Sequence, residues 1–192
     1  PAYAIINPKR DDNKNSYRYF AGVGTAFMLL FALYQKLKRK NDIYKYLDIV
    51  AIGTIADIVP LKGENRLLVK RGLELLKSSK WQGLNMLMKR LFENPMEKSF
   101  DTYDVGFIIA PIFNAAGRLE DAKMAVELLV SECHVTCDKL IYELINKNNE
   151  RKEIQEIILK KAVEKIEKEK LDEDSVIVVA EKNFHHGVIG IV

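Results

Sequence analysis

The chain has 192 residues, 48% hydrophobic and 30% charged, which is enough apolar material to bury the core of one domain, or of one domain and a piece of another, and excludes a disordered tail. Its 30 Lys and Arg against 27 Asp and Glu give a net charge of +3, a balance that does not by itself point to nucleic acid. No apolar run nears the roughly 20 residues needed to cross a bilayer; the nearest, Phe27 to Leu33, meets Tyr34, Gln35 and Lys36 at once. With no membrane span, no signal peptide and no disulfide framework among two cysteines, a soluble, cytoplasmic protein is expected.

Ala2 to Asn7 is a short apolar run closed by Asn-Pro, which predicts a buried strand ending in a turn, because Pro8 has no amide hydrogen to continue pairing. A polar loop over Lys9 to Arg18 leads to Ala21-Gly22-Val23-Gly24, where small residues allow a helix to approach a neighbouring backbone. Thr25 to Lys38 and Ile43 to Ala56 have helical length and near-continuous apolar content, so both are expected to be buried on more than one side. Asp57 stands at the end of the second, and Pro60 stops it. Asn65 to Leu76 and Leu84 to Phe92 predict two further helices with a break over Ser78 to Gly83, and Asn94-Pro95 marks a loop. Tyr103 to Ala110 is apolar before Pro111, and Lys123 to Val130 has helical spacing with Asp121 placed to cap it.

Cys137 to Lys170 contains no Gly or Pro, and its apolar positions recur every three or four residues, which predicts one long helix. Charge around most of its circumference suits a helix spanning two domains better than one at the centre of either. Ser175 to Ala180 is a β-branched run expected to form a buried strand, with a strand-to-helix turn after it at His185-His186-Gly187-Val188-Ile189-Gly190. Cys133, His134 and Cys137 offer thiolate and imidazole groups, but a structural zinc needs four ligands and no second pair lies nearby.

An aspartate at a helix end is usually a cap or a solvated turn residue. The segment around Asp57 is more specific: Gly53-Thr54-Ile55-Ala56-Asp57-Ile58-Val59-Pro60-Leu61 resembles the fourth motif of the DHH phosphoesterases. Ile6-Asn7-Pro8-Lys9 and Ala21-Gly22-Val23-Gly24 before it, and Glu64-Asn65-Arg66 with Leu68-Val69 after it, resemble the RecJ branch of that superfamily. Asn114-Ala115-Ala116-Gly117-Arg118 resembles a RecJ signature, and Phe184 to Val192 resembles the start of the RecJ second domain, with Phe184 in place of the usual Trp. Pro111-Ile112-Phe113 departs from the branch, where Pro-Arg is common.

The resemblance implies an α/β fold: the largely helical C-terminal half of a DHH phosphoesterase domain over 1–132, a long connecting helix over 133–172, and the start of a second α/β domain, a nucleic-acid-binding one, over 173–192. It implies Asp57 as a catalytic ligand of Mn2+ or Mg2+, with Asn114, Arg118 and His185 on the substrate side, Arg118 gripping phosphate through its forked donors. The adjacent His185-His186 is not the superfamily's Asp-His-His. That motif, the Asp-x-Asp and a further lone Asp are expected upstream of Pro1, and the chain is expected to stop inside a motif at Val192.

The parent is then expected to be a 5′-to-3′ exonuclease of single-stranded DNA in repair and recombination, with single-stranded-DNA-binding protein and a RecQ-type helicase as partners. Two-metal hydrolysis needs several ligands to hold ions about 3.5–4 Å apart, so the fragment itself is expected to be inactive. The alternatives are a DHH-family oligoribonuclease or cyclic-dinucleotide phosphodiesterase, which shares Asp57-like chemistry, and a catalytically dead DHH-like DNA-binding scaffold.

Overall fold

The computed structural model describes residues 3–14, 17–119 and 121–192, without the side chain of Lys40. Among the described residues seven α-helices carry the architecture: α1 (Gly22–Lys36), α2 (Leu47–Ala56), α3 (Gly63–Leu76), α4 (Gln82–Leu91), α5 (Ala110–Leu119), α6 (Lys123–Val130) and α7 (His134–Glu169). A 3-10 turn over Lys40–Tyr46 leads into α2, and a π-helical turn over Asp104–Ile109 leads into α5. No described helix is long and apolar enough to cross a membrane.

The centre of the body is α2. Its sequence, LDIVAIGTIA, is apolar around nearly its whole circumference, and Leu47, Asp48, Val50, Ala51, Ile52, Thr54 and Ile55 are all buried. It packs on α1 through Gly53, whose added Cβ would lie 2.8 Å from the Val23 side chain, and on α3 through Gly72, whose added Cβ would lie 2.1 Å from the Leu47 carbonyl oxygen. Only a residue without a side chain permits that second contact, because the atom in the way belongs to the backbone. A larger apolar cluster joins α2 to α4, α5, α6 and the start of α7 through Leu84, Leu87, Ile109, Leu128 and Leu144.

The one carboxylate buried within α2 is fully hydrogen-bonded. Asp48 Oδ2 accepts from Ser79 Oγ at 2.7 Å, and Oδ1 accepts from the Ile49 amide at 2.7 Å and from Trp81 Nε1 at 3.1 Å. These bonds anchor the α3–α4 connection to the start of α2.

Pro111 lies inside a continuous helical stretch rather than ending one. The π-helical turn explains this: it widens the ring of backbone just where proline has no amide hydrogen to donate and would crowd the preceding carbonyl. Asp101 and Asp104 start the turn reciprocally, each side chain accepting from the other's amide, and Lys98 Nζ meets Asp104 at 3.1 Å.

Helix α7 runs unbroken from His134 to Glu169. Cys137, Leu140, Ile141 and Leu144 in its first turns belong to the main core, and beyond Asn148 only Ile158 is buried. The first part is therefore a core helix, and the remainder meets the C-terminal segment through Gln155 on the Ile191 carbonyl and Lys165 on the Ala180 carbonyl. The helix ends with Lys170 in the left-handed region at φ 54°.

The stretches expected to be strands, 3–7 and 175–180, take part in no strand among the described residues, and Ala2 lies outside them, as do Asn15 and Ser16 of the adjoining loop. Tyr3, Ile5, Ile6, Val176, Ile177 and Val178 are all exposed. A β-branched run becomes a strand only when a neighbour pairs its amides and carbonyls, and no such neighbour lies beside either run within these residues.

This packing is open to test by substitution. Gly72→Ala should lower stability by about 1–3 kcal/mol, the usual range for overpacking a tight interface, whereas Gly22→Ala, with nothing within 4 Å of the added carbon, should not; urea midpoints compare the two. Burial lifts the Asp48 carboxyl above its ordinary value, against the opposing pull of its hydrogen bonds. A folded-state value above the unfolded one means that this group's contribution is complete below the unfolded value and is lost as pH rises through the folded one. Asp48→Asn, whose Oδ1 can keep Ile49 and Trp81 while Nδ2 donates to Ser79, should therefore remove a fall in stability between acid and neutral pH. An unchanged pH slope in urea midpoints would contradict it.

Candidate active site

Because α2 is enclosed on its sides, it reaches solvent at its C-terminal end, and there Asp57 is exposed as the C-cap residue. Its amide donates to the Gly53 carbonyl at 3.1 Å, leaving the carboxylate free of the helix. Ile58 then turns back through the left-handed region at φ 53°, its amide on the Ile55 carbonyl, with 90% of its surface exposed. A β-branched residue carries a steric penalty there, and backbone strain of this kind gathers at functional positions.

The loop after Asp57 is held by a residue to which sequence reasoning gives no role. Asn65 is wholly buried, and its Nδ2 donates to the Tyr19 carbonyl at 2.8 Å and the Pro60 carbonyl at 3.1 Å. Its amide donates to the Tyr17 hydroxyl at 3.1 Å, which donates in turn to the Lys62 carbonyl at 2.8 Å. Gly63, at φ +54° and with an added Cβ 2.9 Å from the Tyr17 ring, completes this tight turn. Segments 46 and 5 residues away in sequence thus meet on one side chain.

Beside Asp57 opens a cleft of about 550 Å3, lined by Ala56, Ile58, Tyr103, Phe107 and Asn114 among others. Tyr103 and Phe107 stack at its edge, ring centroids 4.9 Å apart, both largely exposed. Asn114 lies on α5, and Arg118 stands one turn later on the same face. Gly117 is helical, and Ala115 and Ala116 are buried residues that seat α5 on the core. Ile112, at the position that departs from the family pattern, is buried in that core.

Arg118 meets the C-terminal segment. Its Nη1 donates to the Gly187 carbonyl at 3.3 Å, and an added Cβ on Gly187 would lie 2.1 Å from the Arg118 carbonyl oxygen. His185 Nδ1 accepts from the Gly187 amide at 3.2 Å, Val188 beyond it is fully buried, and the segment finishes in a 3-10 turn over Ile189–Ile191. His185 is half-buried and stacks on the exposed His186, ring centroids 5.1 Å apart. Asn114 therefore lines a cleft together with Ala56 and Ile58, the chain neighbours of Asp57, and Arg118 meets the segment of His185 one helical turn further along α5.

Among the described residues no three His, Cys, Asp or Glu side chains converge on a point that would hold a metal ion. Asp57 supplies one carboxylate and does not make a metal site by itself. The cysteine cluster disperses: Cys137 is in the core with Sγ donating to the Ser131 carbonyl at 3.5 Å, Cys133 is exposed, and His134 pairs with Gln82.

No protein-family profile matches the chain. It is 40% identical over 189 residues to the single-stranded-DNA-specific exonuclease RecJ of Bacillus subtilis, covering 98% of this chain and 23% of the relative. It is 37% identical over 171 residues to RecJ of Thermus thermophilus, 89% of this chain and 24% of the relative. The structure superposes on crystal structures of T. thermophilus RecJ with Mn2+ and with Mg2+, at TM-scores of 0.78 and 0.79 and 34% identity in both, covering 92% and 93% of this chain but 26% and 27% of those chains. The fold is thus shared with part of a manganese- and magnesium-binding protein. By sequence and structure together the chain belongs to the RecJ family, and it spans about a quarter of the length of these relatives.

Removing the Asn65 side chain by Asn65→Ala leaves the Tyr19 and Pro60 carbonyls without their donor and should cost about 1–3 kcal/mol. Ile58→Asn, placing a residue tolerant of the left-handed region where no apolar burial is lost, should instead gain up to about 1 kcal/mol. Urea denaturation reads both, and the same sign for the two would contradict this arrangement of the loop.

Proposed function

We propose that the chain supplies one wall of the catalytic cleft of a metal-dependent exonuclease that hydrolyses single-stranded DNA from its 5′ end, in repair and recombination. The observation that carries the proposal is the placement of an exposed carboxylate, Asp57, at the end of a buried helix, between Ala56 and Ile58, which line a cleft with Asn114. The relatives are named single-stranded-DNA-specific exonucleases, and their crystal structures carry Mn2+ or Mg2+.

In this reading Asp57 is one ligand of a Mn2+ or Mg2+ site whose remaining ligands lie outside these 192 residues. When bound, such a metal supplies a Lewis acid and a hydroxide-generating centre near neutral pH. The chain's own residues do three things. Asn65 keeps the Pro60 loop in place behind Asp57, so the carboxylate is presented without searching. Asn114 offers an amide donor inside the cleft. Arg118 offers guanidinium donors to a phosphate of the strand, held by its contact with Gly187. The finer architecture belongs to the same proposal: the runs 3–7 and 175–180 pair into sheets with strands outside the chain, the first in the catalytic domain and the second in a nucleic-acid-binding domain beginning near residue 173. Single-stranded-DNA-binding protein and a RecQ-type helicase are its proposed partners, in the cytoplasm.

The test is a chimera in which this chain replaces the matching segment of B. subtilis RecJ, assayed on 5′-labelled single-stranded DNA with Mn2+. The chimera should release mononucleotides, and Asp57→Asn within it should lower the rate on the order of a hundredfold or more, while the 192 residues alone should release none. A chimera that folds and cuts equally well with Asn at position 57 would overturn the assignment.

A further inference from the structure

A groove of about 380 Å3 lies between α3 and the segment that leads into the π-helical turn. Its floor is apolar: Val69 and Phe100 are buried, Leu73 is partly so, and Leu61 stands at the groove as well. Phe100 is fixed in place, edge to face on Phe92 with ring centroids 5.1 Å apart and with Lys98 Nζ 5.9 Å from its centroid. The same groove is lined by Arg66, Lys70 and Lys77, which recur at the spacing of one helical face.

Among the described residues none of these three cations forms an ion pair. The one carboxylate among the described lining residues, Glu74, meets Arg71 at 3.2 Å instead. A row of cations without counter-charges beside an apolar floor complements an occupant that brings carboxylates and a bulky apolar side chain together. A nucleic-acid strand suits it less well. Bases bind without sequence preference by stacking on open aromatic faces, whereas Phe100 is only 6% exposed and the other floor residues are aliphatic.

We propose that this groove is a docking site for an acidic peptide segment of another protein, one in which several Asp or Glu flank a Leu, Ile or Phe that enters the apolar floor. Arg66, Lys70 and Lys77 take the carboxylates, and Val69, Leu73 and Phe100 take the apolar side chain. Leu61 also lines the cleft that Ala56 and Ile58 border, so a docked segment touches the loop that leaves Asp57. The inference does not rest on the exonuclease reading: the cations and the floor are there whether or not Asp57 holds a metal.

Fluorescence anisotropy tests this on the 192-residue chain, with a short labelled peptide of Asp and Glu around a single Phe as the probe. Binding that weakens with added salt is expected, and exchanging the peptide's Phe for Ala should weaken it about tenfold. Lys70→Glu should weaken it about tenfold as well, and because Lys70 is exposed the urea midpoint should not move. Peptide binding should persist when the chain is set within B. subtilis RecJ in place of the matching segment. No binding, or binding indifferent to both changes, would overturn the site. An oligothymidylate that binds as tightly and loses as much to Lys70→Glu would overturn the choice of a peptide in favour of a nucleic-acid strand. Peptide binding that disappears in the B. subtilis chimera would overturn it too, by assigning the groove to the remainder of the protein's own chain.

Discussion

The arrangement depends on the enclosure of one apolar helix. With seven of its ten residues buried, α2 meets solvent at its end, and whatever side chain stands just past its last turn is presented outward from the middle of the body. The close approach of α3 at Gly72 and of α1 at Gly53 sets how tightly it is enclosed. A carboxylate at such an end has a rigid base, and the buried Asn65 amide ties down the loop that leaves it. Rigid support with a polar tip is what a ligand or general base needs if its position is to be set before substrate arrives.

A second enclosure, at the other end of α5, couples the C-terminal segment to that base. Gly187 presses its backbone against the Arg118 carbonyl, Val188 is buried, and Gln155 holds the Ile191 carbonyl. Arg118 is thereby shared between the helical body and the C-terminal segment over 185–191. Helix α7 serves both sides, contributing core residues from Cys137 to Leu144 and, further along, the amides that fix Arg151. Asn114 and Arg118 consequently lie one turn apart on α5, and Arg118 meets the terminal turn that holds His185.

Much of this is legible in the sequence, and the parts that are not share a cause. Helices from Thr25, Asn65 and Lys123 onward declare themselves by apolar spacing; the N-cap of α6 is Ala122, one residue after Asp121, whose Oδ1 accepts from the Lys123 amide at 2.9 Å. Local pattern does not reveal that Pro111 continues a helix, because the π-helical turn that accommodates it has no residue signature of its own. The runs at 3–7 and 175–180 have strand chemistry, yet pairing depends on a neighbour that spacing cannot supply. The contacts of Asn65, which lies in the Glu64-Asn65-Arg66 motif, and of Arg151 escape a sequence reading for the same reason: the one acts on Tyr19, 46 residues away, and the other is linked through Gln155 to Ile191, 36 residues from Gln155. Asp57, Asn114, Arg118 and His185 can be named because they sit in recurrent motifs, and the structure adds which of them lie together.

Hydrogen exchange of the chain with and without a short oligothymidylate tests most directly whether these surfaces form one interface. Slowed exchange is expected in three segments at once: the loop after Asp57 over 57–61, α5 around 114–118, and the terminal turn over 185–191. Protection confined to the lysine-rich outer half of α7, with those three segments unchanged, would contradict a single interface.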